Sequence, residues 1–490
     1  MVWTLSHDPE KPPRLDPGVR VVRRSIDARR GRLKIVLTLD DAPPPPLRPF
    51  APKPLHGAPA VIVGSGPAGL FAALELLERG IRPIVLERGP EVSARKRAVA
   101  QLCRSGELDP EANYCFGEGG AGTFSDGKLF TRSTKRGDNR RVLELLAEHG
   151  APADILTLAH PHLGSDRLPG IVAALRRRIL ESGGEVHFDT RVDDLLRDSH
   201  GRVAGVRTTS GREWLGRGVI LAIGHSARDT LERLAEQRIP LEPKGFALGV
   251  RVEHPQELIT RIQYHDYPRP ELLPVAEYSL RAQIGQTGVH TFCMCPGGFI
   301  VPASSAPQER VVNGMSPYRR NTPFANAGTV VQIPAQRFPD APSALAYQRR
   351  LEHLAYRHSP LGARAAAQRL ADFAAGRPSR DLPPSSYLPG LEPSDLHRWL
   401  PPEIAHPLRH ALRLFGAQMR GYLTNDAVAV ALESRTSSPV RICRDPDTLQ
   451  SPAAPRLYPC GEGAGYAGGI LSSAIDGQRC AQALAAAETP

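Results

Sequence analysis

The stretch VIVGSGPAGL constrains the fold more than any other, because Gly64, Gly66 and Gly69 follow the spacing G-x-G-x-x-G between an apolar run and a helical pattern. A second apolar run, IVLERG, completes a predicted strand, turn, helix and strand. The first glycine permits a tight turn, the second lets a pyrophosphate approach the backbone, and the third lets helix and strand pack closely. The sequence therefore predicts a dinucleotide site with contacts from Gly64, Ser65, Gly66, Pro67, Ala68 and Gly69.

Glu87 closes the second predicted strand, about 20 residues after the glycines, where a carboxylate accepts hydrogen bonds from ribose hydroxyls. This fingerprint alone leaves both NAD and FAD open. The spacing recurs at residues 117–122 and 463–468, but neither recurrence belongs to a second predicted unit of strand, turn, helix and strand, which argues against a dedicated NAD(P)H domain. NAD(P)H as a transient electron donor stays compatible with the sequence.

The chain of 490 residues, with 41% hydrophobic and 23% charged residues, is long enough for two or three globular domains. We predict an α/β fold: a Rossmann-like nucleotide domain, with a parallel sheet plus a β-meander, formed by residues 57–240 and 430–490. Residues 241–429 are predicted to be an inserted α+β substrate or cap domain. Residues 1–40 are predicted to be a small basic N-terminal module, and residues 41–56 a proline-rich linker.

Charge and apolar patterning limit the partners of this chain. A net charge of +11 leaves nucleic acid open as a partner, although solvated surface charge is the more common explanation of such an excess. The N-terminus lacks the pattern of a secretory signal, and no run of 18 apolar residues occurs, so we expect a cytoplasmic protein without a membrane span. Seven scattered cysteines without a C-x-x-C spacing predict neither disulfides nor a metal site.

The segment GTFSDGKL matches G-x-x-x-x-G-K from Gly122 to Lys128, the spacing of a nucleoside triphosphate cradle. Such a cradle needs a hydroxyl residue after the lysine, and it follows a strand and opens a helix. Leu129 stands at the hydroxyl position, and no clear strand pattern precedes Gly117. The sequence therefore argues against ATP binding.

Several separated segments resemble flavoproteins of the glutathione-reductase-like superfamily, and closely a bacterial group of uncharacterised FAD-dependent dehydrogenases. The run Glu87-Arg88-Gly89, with Arg95 a turn later, resembles the adenosine-binding strand end and the basic residue that follows it. Val192, in FDTRV, resembles a residue of the strand that meets the adenine ring. VILAIGH resembles the strand returning to the nucleotide domain, ending at Gly224. The resemblance runs from about Arg23 to the C-terminal helix and implies FAD as cofactor.

The C-terminal stretch YPCGEGAGYAGGIL resembles the second FAD fingerprint of the superfamily. Many relatives carry Gly-Asp, whereas this chain has Gly461-Glu462, which keeps the carboxylate for the ribitol chain but lengthens it. Gly468, Gly469 and Ile470 precede a helix whose N-terminus would face flavin N1 and the C2 carbonyl, where the helix dipole stabilises negative charge. The resemblance also places the GEGGAGTFSDGK loop beside the flavin, with contacts from Gly119, Gly120, Gly122, Thr123, Ser125 and Lys128.

Candidate catalytic residues carry weaker signals than the binding residues. His225 follows the returning strand and is a candidate acid or base. Glu433 and Arg435, in ESRTSSPVRI, resemble a run typical of the group, and Arg435 is either an anchor for an anionic substrate or the ion-pair partner of Glu433. Cys293 and Cys295 are either a reactive pair or packing residues, and the apolar strand pattern favours packing.

The sequence thus predicts an FAD-dependent oxidoreductase that transfers hydride between flavin N5 and a small molecule, an anionic or aromatic compound. Two alternatives stay open: a flavoprotein that binds or modifies RNA, and a flavin redox carrier or sensor without a small-molecule substrate. The sequence does not indicate the identity of the substrate, the oligomeric state or the contact made by Lys128.

Overall fold

A computed structural model of the chain describes residues 2–27, 33–42, 46–130, 137–265 and 273–487. The strands of these residues, numbered in chain order, are β1 (Val2–His7), β2 (Arg20–Asp27), β3 (Lys34–Asp40), β4 (Ala60–Val63), β5 (Pro83–Leu86), β6 (Glu185–His187), β7 (Val192–Arg197), β8 (Val203–Thr208), β9 (Glu213–Leu215), β10 (Val219–Leu221), β11 (Leu241–Pro243), β12 (Phe246–Pro255), β13 (Arg281–Ile284), β14 (Thr287–Cys295), β15 (Phe299–Pro302), β16 (Val312–Met315), β17 (Phe324–Ile333), β18 (Ala365–Arg369), β19 (Leu391–Pro393), β20 (Val428–Glu433), β21 (Val440–Ile442) and β22 (Leu457–Pro459). The α-helices are α1 (Pro67–Glu78), α2 (Val92–Ser105), α3 (Asn139–Glu148), α4 (Gly164–Glu181), α5 (Arg228–Glu236), α6 (Gln256–Tyr264), α7 (Ala341–Arg357), α8 (Leu370–Ala375), α9 (Leu396–Trp399), α10 (Pro402–Gln418) and α11 (Ile470–Ala486).

A five-stranded parallel sheet in the order β22-β10-β4-β5-β6 forms the centre of the nucleotide domain. Strands β4 and β5 are apolar and fully buried, as expected for a parallel sheet covered on both faces. Helices α1 and α11 pack closely, because a Cβ atom at Gly477 would lie 2.0 Å from the carbonyl oxygen of Ala68. The antiparallel meander β7-β8-β9 follows β6 along the chain. The predicted α/β class, with parallel sheet and meander, is confirmed.

The insert is built on a second, seven-stranded sheet in the order β13-β14-β17-β12-β20-β18-β19. Its strands are antiparallel except for the pair β18 and β19. Strand β20 is fully buried in the middle of this sheet, between β12 and β18. Residue 430, a predicted domain boundary, lies within β20.

The alanine-rich stretch from Ala341 to Gly376, whose composition favours helix, contains a strand. Helices α7 and α8 flank β18, whose residues 365–369 (AAAQR) pair with β19 and β20. The three alanines of β18 are fully buried. Tertiary pairing overrides the helix propensity of alanine here, because small side chains let the strand be covered on both faces.

The N-terminal residues form a three-stranded antiparallel sheet in the order β1-β3-β2. Backbone hydrogen bonds between Arg24 and both Thr157 and Ala159 attach this sheet to the nucleotide domain. The described part of the linker has no regular secondary structure and lies beside the C-terminal end of α1. The backbone amides of Lys53 and His56 donate to the carbonyl groups of Leu77 and Gly80. Among the described residues, no helix combines the length and apolar character needed to cross a membrane.

Candidate cofactor and substrate site

A cavity of about 400 Å³ lies at the carboxyl ends of the parallel strands, which is where open α/β sheets bind ligands. Gly64 follows β4, Glu87 follows β5, Ala222 follows β10 and Cys460 follows β22, and all four line this cavity. The predicted cofactor residues that line it are Gly64, Gly66, Pro67, Ala68, Glu87, Arg88, Gly120, Gly122, Ser125, Lys128, Val192, Gly224, Glu462, Gly468, Gly469 and Ile470.

The three glycines of the first turn have distinct environments. Gly64 has a φ of +105°, which glycine adopts without strain, and a Cβ there would lie 2.3 Å from the carbonyl oxygen of Ala222. A Cβ at Gly66 would meet only the Cα of Gly120, at 3.9 Å, so the cavity side of Gly66 is open. Gly66 is also the N-cap of α1, and no side chain caps the helix there. The free amides at this helix start fit a phosphate.

Glu87 holds two loops of the cavity wall together. One carboxylate oxygen accepts from the amide and hydroxyl of Ser65 at 2.9 and 2.7 Å, and the other accepts from the amides of Gly89 and Gly117, each at 3.1 Å. A carboxylate has about four acceptor positions, so Glu87 is well satisfied by the protein while facing the cavity. Its place at the end of β5 is as predicted.

The loop that carries the glycines at positions 117, 119, 120 and 122 folds around Arg95. The guanidinium group of this fully buried residue donates to the carbonyl oxygens of Asn113, Gly117, Glu118 and Gly120 at 2.7–3.2 Å. Burial lowers the pKa of Arg95 to about 10, which still leaves it charged near neutral pH. Arg95 thus shapes the loop from behind and does not line the cavity.

The second glycine turn brings α11 to the same cavity. Gly469 is the N-cap of α11 without a capping side chain, and added Cβ atoms at Gly468 and Gly469 would meet nothing within 4 Å. Glu462 faces the cavity beside them, and burial raises its pKa to about 7, with Lys244 opposing part of that shift. Two uncapped helix starts, of α1 and α11, therefore meet at one cavity. The residues present fit a dinucleotide cofactor of the FAD type.

Lys128 lies in an irregular segment, and no helix begins there. Its backbone forms an isolated bridge with His162, and its ammonium group donates to the carbonyl oxygen of Met294 and lies 3.5 Å from Asp126. Burial opposes the charge, but the neighbouring thiol groups and Asp126 outweigh it, so the pKa of Lys128 is raised. A triphosphate cradle requires a helix to start at the lysine, which supports the sequence argument against ATP.

Arg435 belongs to a buried cluster of two arginines and two glutamates at the cavity wall. Its guanidinium group pairs with Glu352 at 3.0 Å and with Glu309, while Arg228 pairs with the same two carboxylates at 2.8 and 2.7 Å. Arg435 also lies 3.2 Å from the Ser226 hydroxyl. The predicted alternative, an ion pair between Arg435 and Glu433, is wrong. Strand β20 ends at Glu433, and the side chains of Glu433 and Arg435 have different ion-pair partners.

Glu433 instead pairs with Arg251, from the neighbouring strand β12, at 3.0 and 3.1 Å. It is buried and does not line the cavity. His225 does line it, and its Nδ1 lies 2.8 Å from the hydroxyl oxygen of Ser226. Burial, with help from Arg435 and Arg228, lowers the pKa of His225 to about 4, so its ring is neutral at physiological pH.

Six predicted cofactor residues are absent from the cavity wall and support it from behind. Ser65 and Arg95 bond to other wall residues as described, Gly69 packs on Gly64, and the amide of Gly461 donates to Asp476 at 2.8 Å. The amide of Gly119 donates to the Ser65 carbonyl, and the Thr123 hydroxyl donates to the Glu118 carbonyl at 2.9 Å. Burial of their polar groups in these contacts is the physical reason they do not face the cavity.

The structure adds lining residues that sequence reasoning did not select. They come from several parts of the chain and include Cys115, Phe116, Phe130, Phe292, Cys293, Gly314 and Ser472. These residues are far apart in the sequence and meet at the cavity only in the folded chain, so no sequence spacing predicts their contacts. The one available signal was the cysteine spacing at Cys293, which the apolar pattern outweighed.

Comparisons with known proteins agree with this site. Residues 58–109 match the family model of an FAD binding domain, residues 167–287 that of FAD dependent oxidoreductases, and residues 245–436 that of the FAD-dependent protein, C-terminal domain-like. An uncharacterised protein of Clostridium beijerinckii is 40% identical over 433 residues, which is 86% of this chain and 80% of that protein. A thiamine thiazole synthase of Aeropyrum pernix is 30% identical over 146 residues, 30% of this chain and 42% of that enzyme.

Solved flavoproteins show a more distant similarity. CtdE in complex with FAD gives a TM-score of 0.34 at 12% identity, covering 87% of this chain and 84% of that chain. A triple mutant of the flavin-dependent brominase Bmp2 gives 0.38 at 13% identity, covering 88% and 82%. The amino acid oxidase NikD gives 0.34 at 15% identity, covering 88% and 95%.

The fold, the two glycine turns at one cavity and the family models define an oxidoreductase of the FAD-dependent class, with FAD as its cofactor. Within that class, the chain belongs to the family of FAD-dependent proteins that includes the clostridial relative.

Proposed function

We propose that this FAD-dependent oxidoreductase is dehydrogenase-like and transfers hydride between a small-molecule substrate and N5 of the flavin. One observation carries the proposal: the cavity is walled by the glycine turns of the nucleotide domain on one side and by Phe292 and Asn313 of the insert on the other. Bound FAD supplies the two-electron chemistry, and the protein supplies orientation and electrostatics. We also propose membership of the glutathione-reductase-like superfamily, which the order of the two fingerprints supports.

The proposed binding roles follow from the cavity wall. Gly66 and the start of α1 receive the pyrophosphate, because the backbone is open there and its amides are uncapped. Glu462 binds the ribitol hydroxyls, and the start of α11 receives the flavin N1 region. Val192, at the start of the meander, would contact the adenine. The nucleotide domain then comprises residues 57–240 and the C-terminal segment after β20.

His225 is the proposed proton-accepting group. Its neutral imidazole faces the cavity, and the hydrogen bond to Ser226 fixes the ring. A group with a pKa of about 4 is unprotonated over the physiological range, so His225 is available as a base there and not as an acid. Glu433 does not contact the cavity, and its role is to hold the side chain of Arg251 in place.

The chemistry of the lining residues favours an aromatic substrate over an anionic one. The cationic groups of the cavity wall already have carboxylate partners: Arg435 has Glu309 and Glu352, Arg88 has Glu111 and Asp229, and Lys128 has Asp126. An anion would have to compete with these partners. Phe130 and Phe292 line the same cavity and offer apolar surface to a planar molecule.

The test is an absorbance spectrum of the purified protein, followed by anaerobic additions of NADH, NADPH and a panel of aromatic and anionic metabolites. We expect a bound flavin spectrum that bleaches with one substrate class. A colourless protein that takes up no added FAD overturns the proposal. Reduction by a protein electron donor, with no response to any metabolite, favours the redox-carrier alternative.

A further inference from the structure

Cys293 occupies a distorted position at the end of β14. The register between β14 and β17 is irregular between Phe292 and Cys295, and Cys293 has a φ of +43°, a conformation that favours glycine. Strain of this kind persists where the surrounding structure imposes it and concentrates at functional sites. The distortion turns Cys293 to the cavity wall, while Cys295 lies fully buried behind it.

Cys293 and Cys295 are two residues apart at this irregular strand end, and the Cys295 thiol donates to the carbonyl oxygen of Cys293 at 3.3 Å. The Cα atoms of residues two apart on a strand are separated by roughly 6.6 Å, within the span of about 4.4–6.8 Å that a disulfide bridges. The spacing of the two cysteines therefore fits a disulfide.

Two cations flank this pair. Arg251 donates to the carbonyl oxygen of Cys293 at 2.6 Å and lies 3.4 Å from Cys295 Sγ, and Glu433 holds Arg251 in place. Lys128 bonds the carbonyl oxygen of Met294, between the two cysteines. The hydrogen bond from Cys295 and these two cations, against the effect of burial, hold the pKa of Cys293 well below its usual range. A thiolate at Cys293 is the form that reacts.

We propose that Cys293 and Cys295 form a redox-active pair that exchanges two electrons with FAD. The inference rests on FAD occupying the cavity, as the proposed function requires. When the pair is oxidised, the S–H bond of Cys295 breaks and one S–S bond forms between its sulfur and the Cys293 thiolate. Two electrons and the released proton pass to FAD, and solvent supplies the second proton of the reduced cofactor. The protein then stores two reducing equivalents in the thiols beside the two in the flavin.

A second thiol pair, Cys460 and Cys480, differs from Cys293 and Cys295 in its electrostatics. The sulfur atoms of Cys460 and Cys480 lie within 4.8 Å of each other and of the Asp476 carboxylate, and Cys460 also lines the cavity. Arg444 pairs with Asp476 at 2.7 Å and lies 3.4 Å from Cys480 Sγ, but the contact with Cys480 and burial raise the pKa of Cys460 well above its usual range. A thiol with a raised pKa is a poor nucleophile, so this pair serves as the internal comparison.

The experiment is an anaerobic dithionite titration of air-oxidised holoprotein, freed of external thiols, with flavin absorbance as the readout. We expect about four electrons per bound FAD, because a disulfide and FAD each accept two. Cys293→Ser and Cys295→Ser are each expected to take up about two electrons. Cys443→Ser and Cys480→Ser, which leave the proposed pair intact, are expected to keep the wild-type value.

A second readout does not depend on the flavin or on any variant. Alkylation and peptide mapping of wild-type protein should reveal a Cys293–Cys295 disulfide in the oxidised form and two alkylated thiols in the reduced form. A flavin-containing protein that takes up two electrons, or whose disulfide maps to Cys460 and Cys480, overturns the thiol proposal alone. A protein that binds no FAD overturns the proposed function as well, so the two failures are distinguishable.

Discussion

A Cβ atom built on Gly69 would lie 1.9 Å from the carbonyl oxygen of Gly64. A Cβ built on Gly66, between them, would meet only Gly120. Gly69→Val should therefore damage the fold, at a cost of about 1–3 kcal/mol or more from overpacking. Gly66→Val should leave the fold intact and block the pyrophosphate. Flavin absorbance per protein and thermal unfolding by circular dichroism separate the two, and a Gly66→Val protein that keeps FAD contradicts the assignment.

Arg95 gives a second prediction, because it bonds four loop carbonyl groups from a fully buried position. Arg95→Met should lower the free energy of unfolding by about 3 kcal/mol or more, since each hydrogen bond to a charged donor contributes about 1.5–3 kcal/mol. It should also weaken FAD retention, because the loop beside Gly66 loses its support. Arg97→Met, on the exposed side of the same helix, is the matched control and should change neither. Denaturant unfolding of both variants provides the measurement.

Acid should weaken the fold through the buried Arg228–Glu309–Glu352–Arg435 cluster. Burial opposes the charge of Glu352, but Arg228 and Arg435 outweigh it and hold the pKa of Glu352 far below its usual range. A carboxyl group with a lowered folded pKa stabilises the protein above its unfolded pKa, and this contribution is lost as pH falls. We expect the melting temperature to drop between about pH 5 and pH 3. Glu352→Gln should be less stable at pH 7 and lose less on acidification, and equal pH dependence would contradict the prediction.

Glu462 should make FAD binding depend on pH. Burial raises its pKa to about 7, so the apoprotein carries a largely protonated carboxyl group below that pH. Ribitol hydroxyl groups that donate to an ionised carboxylate would lower this pKa in the holoprotein. FAD affinity should then rise with pH up to about 7, by at most about tenfold per pH unit. Flavin fluorescence titrations at pH 5.5, 6.5 and 7.5 test this, and Glu462→Gln should give the same Kd at all three.

We expect Lys128 to affect the reduction potential of the flavin and to have no role in ATP binding. Replacing it by Met removes an ammonium group from the cavity wall and from the Met294 carbonyl. We expect a more negative flavin reduction potential, because the lost positive charge no longer stabilises the reduced cofactor. Spectroelectrochemistry measures the shift. ATP binding by the wild-type protein that disappears in Lys128→Met would show that the cradle interpretation was correct after all.

The glycine turns of the nucleotide domain could be predicted because neighbouring residues in the sequence set their backbone geometry. The turn at Gly64, the open backbone at Gly66 and the close packing at Gly69 are each fixed by a glycine within six residues. The strand, turn and helix around Gly469 are local in the same way. Alanine content favours helix at residues 365–369, but these residues form a strand, because pairing with β19 and β20 is a long-range event.

The sequence by itself therefore determined the class of fold and the two glycine turns, since short-range spacing sets backbone geometry, and its resemblance to flavoproteins implied the cofactor. The tertiary structure decided the rest of the cavity wall. Glu433 and Arg435 are two residues apart, yet one pairs with Arg251 and the other with Glu309 and Glu352, because the end of β20 separates their surroundings. Cys293 likewise lines the cavity where the pairing of β14 with the distant strand β17 is irregular. Such contacts join residues far apart in the chain, and only the folded chain brings them together.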